Sequence, residues 1–311
     1  MPEPVLVGDV GGTRTRLALY DGALQSLWER PTGLHPDLTT AVAEFLELVG
    51  VQPSASGIGV AGPVVAGEAT LTHGDWTIRA QDLPQPAVLL NDLAAAAHGV
   101  GALEPGAARR ISGPAPVPGA PRVVIGVGTG HGQAVWCEGK VLAGEAGHMD
   151  FAASDPELVE LAEAIRVRDD RVSVEAVLSG LGMDAVLRFA AARAVLGAEA
   201  TAALQSRPSA AVVAELAGKD AACAHARSLF ARALGAEAGN AALRTLPAGG
   251  VWLVGGVAAG LLSRAADAEV STAFSNKGPM SEQVRGIPLL VVQDGLVGLR
   301  GAAVVAARLV H

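Results

Sequence analysis

The sequence predicts an α/β chain of two domains around a cleft, each domain built on a mixed sheet that begins with a three-stranded meander. Three observations carry this expectation. Val5-Leu6-Val7-Gly8-Asp9-Val10-Gly11-Gly12-Thr13 ends an apolar run in paired glycines, and Val123-Val124-Ile125-Gly126-Val127-Gly128-Thr129-Gly130-His131-Gly132 repeats the plan. Each turn then leads into a strand, a tight turn and another strand. In the first the order is Thr15 to Tyr20, Asp21-Gly22 and Leu24 onward; in the second it is Gln133 to Trp136, Glu138-Gly139 and Val141-Leu142. A supersecondary unit used twice is what an internal duplication leaves behind. Finally, 311 residues can bury a sizeable core and divide most easily into two domains.

The other elements follow in order. Leu38 to Leu48 has helical apolar spacing, Gly57 to Ala61 is a buried strand, and Thr70-Leu71-Thr72 to Trp76-Thr77-Ile78 is an excursion at the cleft rim. Ala87 to Leu90 is a strand that stops at Asn91-Asp92, and Ala94 to His98 opens a helix. Residues 104 to 121 are rich in Pro, Gly and Ala, as a crossing between domains would be. Glu157 to Ile165, Val174 to Leu178 and Met183 to Val195 read as helices, and Ala211 to Leu246 as two long ones. Val251 to Val257 is a buried strand ending at Gly255-Gly256 and leading into a helix. Leu289 to Val292, a turn at Asp294-Gly295 and a helix from Val297 to Leu309 close the chain.

Composition narrows the class. Half of the residues are hydrophobic but only 3% are aromatic, so the core is Ala, Val and Leu. Apolar runs are interrupted before the roughly 20 residues of a spanning helix, and no basic and apolar leader precedes the first strand; a soluble, cytoplasmic protein is expected. The net charge of −8 leaves no extended cationic face for nucleic acid. Cys137 and Cys223 read as small buried hydrophobes.

Both glycine turns suit phosphate: glycine takes positive φ without a Cβ clash, so backbone N–H groups can converge on an anion. Either turn alone is equally an ordinary tight turn. Neither is a Walker loop, since no lysine follows, and neither opens a helix as a dinucleotide fingerprint does. Gly255-Gly256 opens a helix that suits adenosine or its phosphates, or close packing. Asp92, at the carboxyl end of a strand, can accept a hydroxyl proton or cap the following helix. Glu145, His148 and Asp150 cluster between glycines in Gly144-Glu145-Ala146-Gly147-His148-Met149-Asp150-Phe151. Glu175, expected to open a helix, is a third polar wall or a surface residue. Magnesium carried by nucleotide phosphates, with Asp9 as its contact through water, fits these ligands better than a protein-held zinc.

At these residues the sequence resembles the bacterial glucokinases, of the sugar kinase/actin/heat-shock chaperone superfamily with its ribonuclease H-like, actin-like ATPase fold. Gly8 to Thr13 with Arg16 and Leu17-Ala18-Leu19, Leu90-Asn91-Asp92, Gly128-Thr129-Gly130, the segment Gly144 to Phe151, and Val177-Leu178-Ser179-Gly180 carry the resemblance. It implies that Gly8, Asp9, Val10, Gly11, Gly12 and Thr13 bind ATP phosphates, with Asp9 on the magnesium side, and that Gly128, Thr129 and Gly130 form a second phosphate loop. Gly255 and Gly256 would border the adenosine. Asn91, Glu145, His148 and Glu175 would bind glucose hydroxyls, and Asp92 would be the base on the 6-hydroxyl, for the first step of glycolysis. The implied domains are 1–102 plus 295–311, with the first loop and Asp92, and 103–294, with the rest; a homodimer is also implied. Arg14 and His73 stand where relatives usually or often have asparagine. Met149-Asp150-Phe151-Ala152 replaces the cysteine-rich zinc motif of the ROK kinases, which favours the non-ROK branch. The alternatives are a broader hexose kinase and a non-catalytic nucleotide or sugar sensor on the same fold.

Overall fold

The computed structural model describes residues 4–72, 74–168 and 170–310, so His73 lies outside the described residues. The chain divides into two compact units. One holds the residues up to 105, with 141–143 and those from 294 onward; the other holds 106–140 and 144–293.

The first unit opens on β1 (Val5–Val10), β2 (Arg14–Tyr20) and β3 (Leu24–Pro31), joined as an antiparallel meander, followed by α1 (Leu38–Val49). Next come β4 (Ser56–Val60), three short strands β5 (Val64–Val65), β6 (Glu68–Thr70) and β7 (Thr77–Arg79) in a small sheet of their own, then β8 (Ala87–Asn91) and α2 (Asp92–Gly99). The main sheet runs β3-β2-β1-β4-β8, with β4 and β8 parallel to β1. Alternation along β1 sets its two faces. Leu6 and Val10 join the core that includes Phe45 of α1, whereas Val5 and Val7 pack with Leu299, Ala302 and Ala306 of the last helix. By the same alternation Asp9 lies on that second face.

The second unit repeats the plan. A strand β9 (Ala108–Ser112) precedes the meander β10 (Arg122–Val127), β11 (His131–Cys137) and β12 (Lys140–Gly144). The helices α3 (Pro156–Arg166), α4 (Met183–Ala191), α5 (Ala198–Ala203), α6 (Ser209–Leu216) and α7 (Ala221–Thr245) follow. Then come β13 (Val251–Val254), α8 (Gly256–Leu261), α9 (Asp267–Ser275), α10 (Ser281–Arg285) and β14 (Leu289–Val292); α11 (Val297–Ala306) returns to the first unit. Its sheet runs β12-β11-β10-β13-β14-β9, with β13 and β14 parallel to β10. A meander followed by two parallel strands is therefore present in each unit.

Several expectations need correction. The 104–121 stretch holds a strand, β9, paired antiparallel with β14 and fixed by an Arg109 ion pair with Asp267. Val174 to Leu178 is a run of turns, not a helix, so Glu175 opens no helix. The helix at Met183 stops at Ala191. Ala211 to Leu246 is not two long helices but the end of α6 and a 25-residue α7, because Asp220 breaks the run and caps α7 by accepting the Cys223 N–H. Cys223 is buried, and burial pushes its thiol up to about 12, but Cys137 is only half-buried. Among the described residues, no helix is long and apolar enough to cross a membrane.

Candidate active site

In the first unit the turn between β1 and β2 is held from beneath by a threonine pair that the sequence reading missed. The Thr32 hydroxyl donates to the Gly11 carbonyl at 2.7 Å and its N–H donates to the Thr13 carbonyl at 3.2 Å. Thr15, buried beside it, shares a 3.0 Å hydroxyl contact. With those carbonyls committed to Thr32, the turn is fixed through its acceptors. The available signal was Thr15 itself, a polar side chain at the parity of Leu17 and Leu19 on the buried face of β2.

Asp9, the penultimate residue of β1, faces α11, where a Cβ on Gly298 would stand 3.4 Å from its carboxyl carbon. The Asp9 side chain keeps 28% of its surface accessible, yet burial raises its pKa above the ordinary aspartate value, outweighing the pull of Arg16. Arg16 lies 3.5 Å from Asp9 and is shared: it donates to Glu29 at 2.6 Å and to the Gly295 carbonyl at 2.9 Å. Its bond holds the Glu29 carboxyl below the usual range. An incompletely neutralised, desolvated carboxylate beside a glycine is a donor that fits a divalent cation.

At the end of β8, Asn91 and not Asp92 caps α2. Its Oδ1 accepts from the N–H groups of Leu93 and Ala94, and its Nδ2 donates to the Gly62 carbonyl at 3.2 Å. Asp92 is the first residue of α2, half-buried, with Oδ1 accepting the Leu93 N–H at 2.9 Å. The absence of a side chain on Gly59 of β4 lets the first turn of α2 come close, since a Cβ there would stand 3.1 Å from that of Ala95.

In the second unit the turn between β10 and β11 meets the 175–181 segment. The Gly180 N–H donates to the Gly128 carbonyl at 2.8 Å, and the Glu175 carboxylate accepts the His131 N–H at 2.8 Å. Gly255 closes in from β13: its φ is +102° and a Cβ would stand 2.4 Å from the Val127 carbonyl oxygen. Gly128, Thr129, Gly130, Gly255 and Gly256 are thus brought together.

Glu145, His148 and Glu175 are also neighbours. A single 3-10 turn, Ala146–His148, follows Glu145, and residues 147–151 run antiparallel to 172–175 through bonds from Glu175 N to Gly147 O and from Val174 N to Met149 O, both 2.9 Å. Glu145 and His148 are exposed and Glu175 is half-buried. Arg171 braces the segment by donating to Asp150 Oδ1 and to the His148 carbonyl.

The expected reason for the loop glycines needs correction as well. Gly11, Gly128, Gly130 and Gly256 do not adopt positive φ; of the site glycines, only Gly255 does. At Gly128 and Gly256 an added Cβ would meet nothing within 4 Å. Neither torsion nor the described protein around them demands glycine there, and a glycine in open space lets a ligand approach the backbone closely.

Two mixed sheets, each opened by a meander with a glycine turn, define the actin-like ATPase fold in the form used by sugar kinases. A family model described as Glucokinase matches residues 6–309. The chain belongs to the glucokinase family. It is 34% identical to a glucokinase of Nostoc sp. (strain PCC 7120 / SAG 25.82 / UTEX 2576), over 98% of this chain and 99% of the relative. A crystal structure of glucokinase from an Antarctic psychrotroph superposes with a TM-score of 0.84 at 28% identity, covering 99% of this chain and all of the other. The fold also matches a ROK family glucokinase from Streptomyces griseus crystallised with glucose and AMPPNP, with a TM-score of 0.69 at 21% identity over 98% and 99% of the two chains.

Proposed function

We propose that this chain phosphorylates D-glucose at its 6-hydroxyl with ATP as donor, in the cytoplasm and as a homodimer. The observation that carries the proposal is Asp92 at the first position of α2, with the capping role taken by Asn91. At the carboxyl end of β8, where open α/β sheets present ligand-binding groups, the Asp92 carboxylate is the acceptor for a substrate hydroxyl proton. Asn91, Glu145, His148 and Glu175 bind the sugar, and a strong preference among hexoses follows from a site that hydrogen-bonds each hydroxyl.

Phosphoryl transfer needs positioning and charge stabilisation more than covalent help. Gly8, Asp9, Val10, Gly11, Gly12 and Thr13, with Gly128, Thr129 and Gly130, bind the phosphates, and Gly255 and Gly256 border the adenosine. Asp92 takes the proton of the 6-hydroxyl as its oxygen bonds to the γ-phosphorus, the bond to the bridging oxygen breaks, and ADP leaves. Mg²⁺, held through water by Asp9, would supply neutralisation of the triphosphate charge.

A coupled assay for ADP release tests this reading. ADP should form only when glucose and ATP are both present; release at the same rate without sugar would make the chain an ATPase or sensor.

A further inference from the structure

His131 is the first residue of β11, directly after the second glycine turn, and is 8% exposed. Three parts of it face two different segments, the turn at 175–181 and the stretch at Gly147. Its N–H donates to Glu175 Oε2 at 2.8 Å, and its ring Nδ1 pairs with the Leu178 carbonyl at 3.0 Å. Its carbonyl oxygen lies where a Cβ on Gly147 would approach to 2.2 Å, so the segment bearing Glu145 and His148 stacks directly on it.

The ring is costly to keep. A carbonyl only accepts, so Nδ1 carries the proton, and Nε2 is buried with no hydrogen-bond partner among the described residues. A buried polar atom without a partner is unfavourable, and an apolar side chain of similar size would avoid it. What the imidazole adds is a fixed link to the turn that carries Glu175. That turn is braced internally by Ser179, which donates to the Glu175 carbonyl and accepts from the Gly182 N–H. Its far end returns to the glycine turn through Gly180 N to Gly128 O and Leu181 N to Thr129 O. A Cβ on Gly130 would stand 2.6 Å from Glu175 Oε2, so the carboxylate rests against the turn itself.

We propose that His131 is a positioning residue that joins the second glycine turn to the Glu175 turn, so that sugar held by Glu175 and nucleotide phosphate held by Gly128 to Gly130 strengthen each other's binding. This rests on the assignment of those residues under the proposed function. One ligand orders both segments, and the second then loses less conformational freedom on binding. The coupling factor is the same whichever ligand binds first.

Calorimetric titrations of glucose and AMPPNP, each alone and with the other saturating, test the proposal on the parent chain, His131→Leu and His131→Asn. The parent should show mutual tightening of about fivefold or more. His131→Leu should reduce that factor by about threefold or more, and His131→Asn, whose amide nitrogen can occupy the place of Nδ1, should restore it. A parent without coupling overturns the inference. So does a His131→Leu variant that melts earlier yet keeps the parental factor, which would make the histidine a packing residue. A His131→Asn variant uncoupled like the leucine variant also overturns it.

Should His131→Leu fail to fold, hydrogen exchange of the parent decides: glucose alone should raise protection of the amides at 128–131, and unchanged protection overturns the link. Failure of the parent to release ADP with glucose present sinks the functional assignment instead. ADP release with uncoupled binding sinks only this inference.

Discussion

The two glycine turns use one backbone device at equivalent places in two sheets, but they are anchored differently. The β1–β2 turn is held by side-chain hydroxyls and an arginine from its own unit's meander: Thr32 and Thr15 below it, Arg16 beside Asp9. The β10–β11 turn is held by a segment almost fifty residues further on, through Glu175, Leu178, Gly180 and Leu181. The difference separates their roles. The first turn is fixed by neighbours close to it in sequence, whereas the second is fixed by Glu175, the carboxylate proposed above to bind sugar.

The largest effect should come from leaving both turns intact and removing the proposed base. Asp92→Ala should lower kcat by roughly 10² to 10⁴, or about 2.7 to 5.4 kcal/mol of barrier, with the KM for ATP within about threefold of the parent. Steady-state kinetics check this, and near-parental turnover would remove Asp92 from the chemistry.

The next test lies inside the second turn. Gly130→Ala drives a Cβ to within 2.6 Å of Glu175 Oε2, whereas Gly128→Ala meets nothing within 4 Å. Gly130→Ala should therefore raise the KM for glucose about tenfold, the scale of one charge-assisted hydrogen bond lost, and Gly128→Ala should raise only the KM for ATP. The same sugar response from both alanines would erase the distinction.

In the first turn, Thr32→Val removes the hydroxyl bond to Gly11. The KM for ATP should rise about two- to tenfold while the KM for glucose stays unchanged. A parallel rise in both would mean that the first turn also reports on sugar.

The smallest effect concerns the scaffolds. Asp37 caps α1 in the first unit and Asp220 caps α7 in the second, but Asp220 also accepts the Gly197 N–H at 2.7 Å. Asp37→Ala should cost about 1 kcal/mol and Asp220→Ala more, read by chemical denaturation. The Thr40 N–H, then the Thr39 hydroxyl, hold the Asp37 carboxyl below its ordinary value. Its contribution is thus complete above the unfolded pKa of about 3.9 and is lost as pH falls through the lower folded value. The gap between parent and Asp37→Ala should be constant near neutrality and close only in acid.

What the sequence made legible was periodic or punctuated. Both meanders, β13 leading into α8, and the Asn91-Asp92 stop declared themselves through alternation and paired glycines. The failures have physical causes. The β9 strand, Ala108-Arg109-Arg110-Ile111-Ser112, carries little apolar signal because it is an edge strand paired only with β14. Val174, Val177 and Leu178 are all buried and mimic a helical stripe, but a single cluster of turns produces the same spacing. Thr32 was signalled only indirectly, through Thr15, and His131 not at all, because each acts through a partner distant in sequence; the open space at Gly128 is likewise something composition does not encode.

The proposed reaction transfers phosphate to one particular oxygen, O6. Proton NMR with phosphorus coupling on the product of glucose and ATP tests it most directly. Phosphorus coupling should appear at the C6 protons alone, and 6-deoxyglucose should bind without turnover. Phosphorus coupling at any ring position, or ADP release with 6-deoxyglucose at the glucose rate, would contradict it.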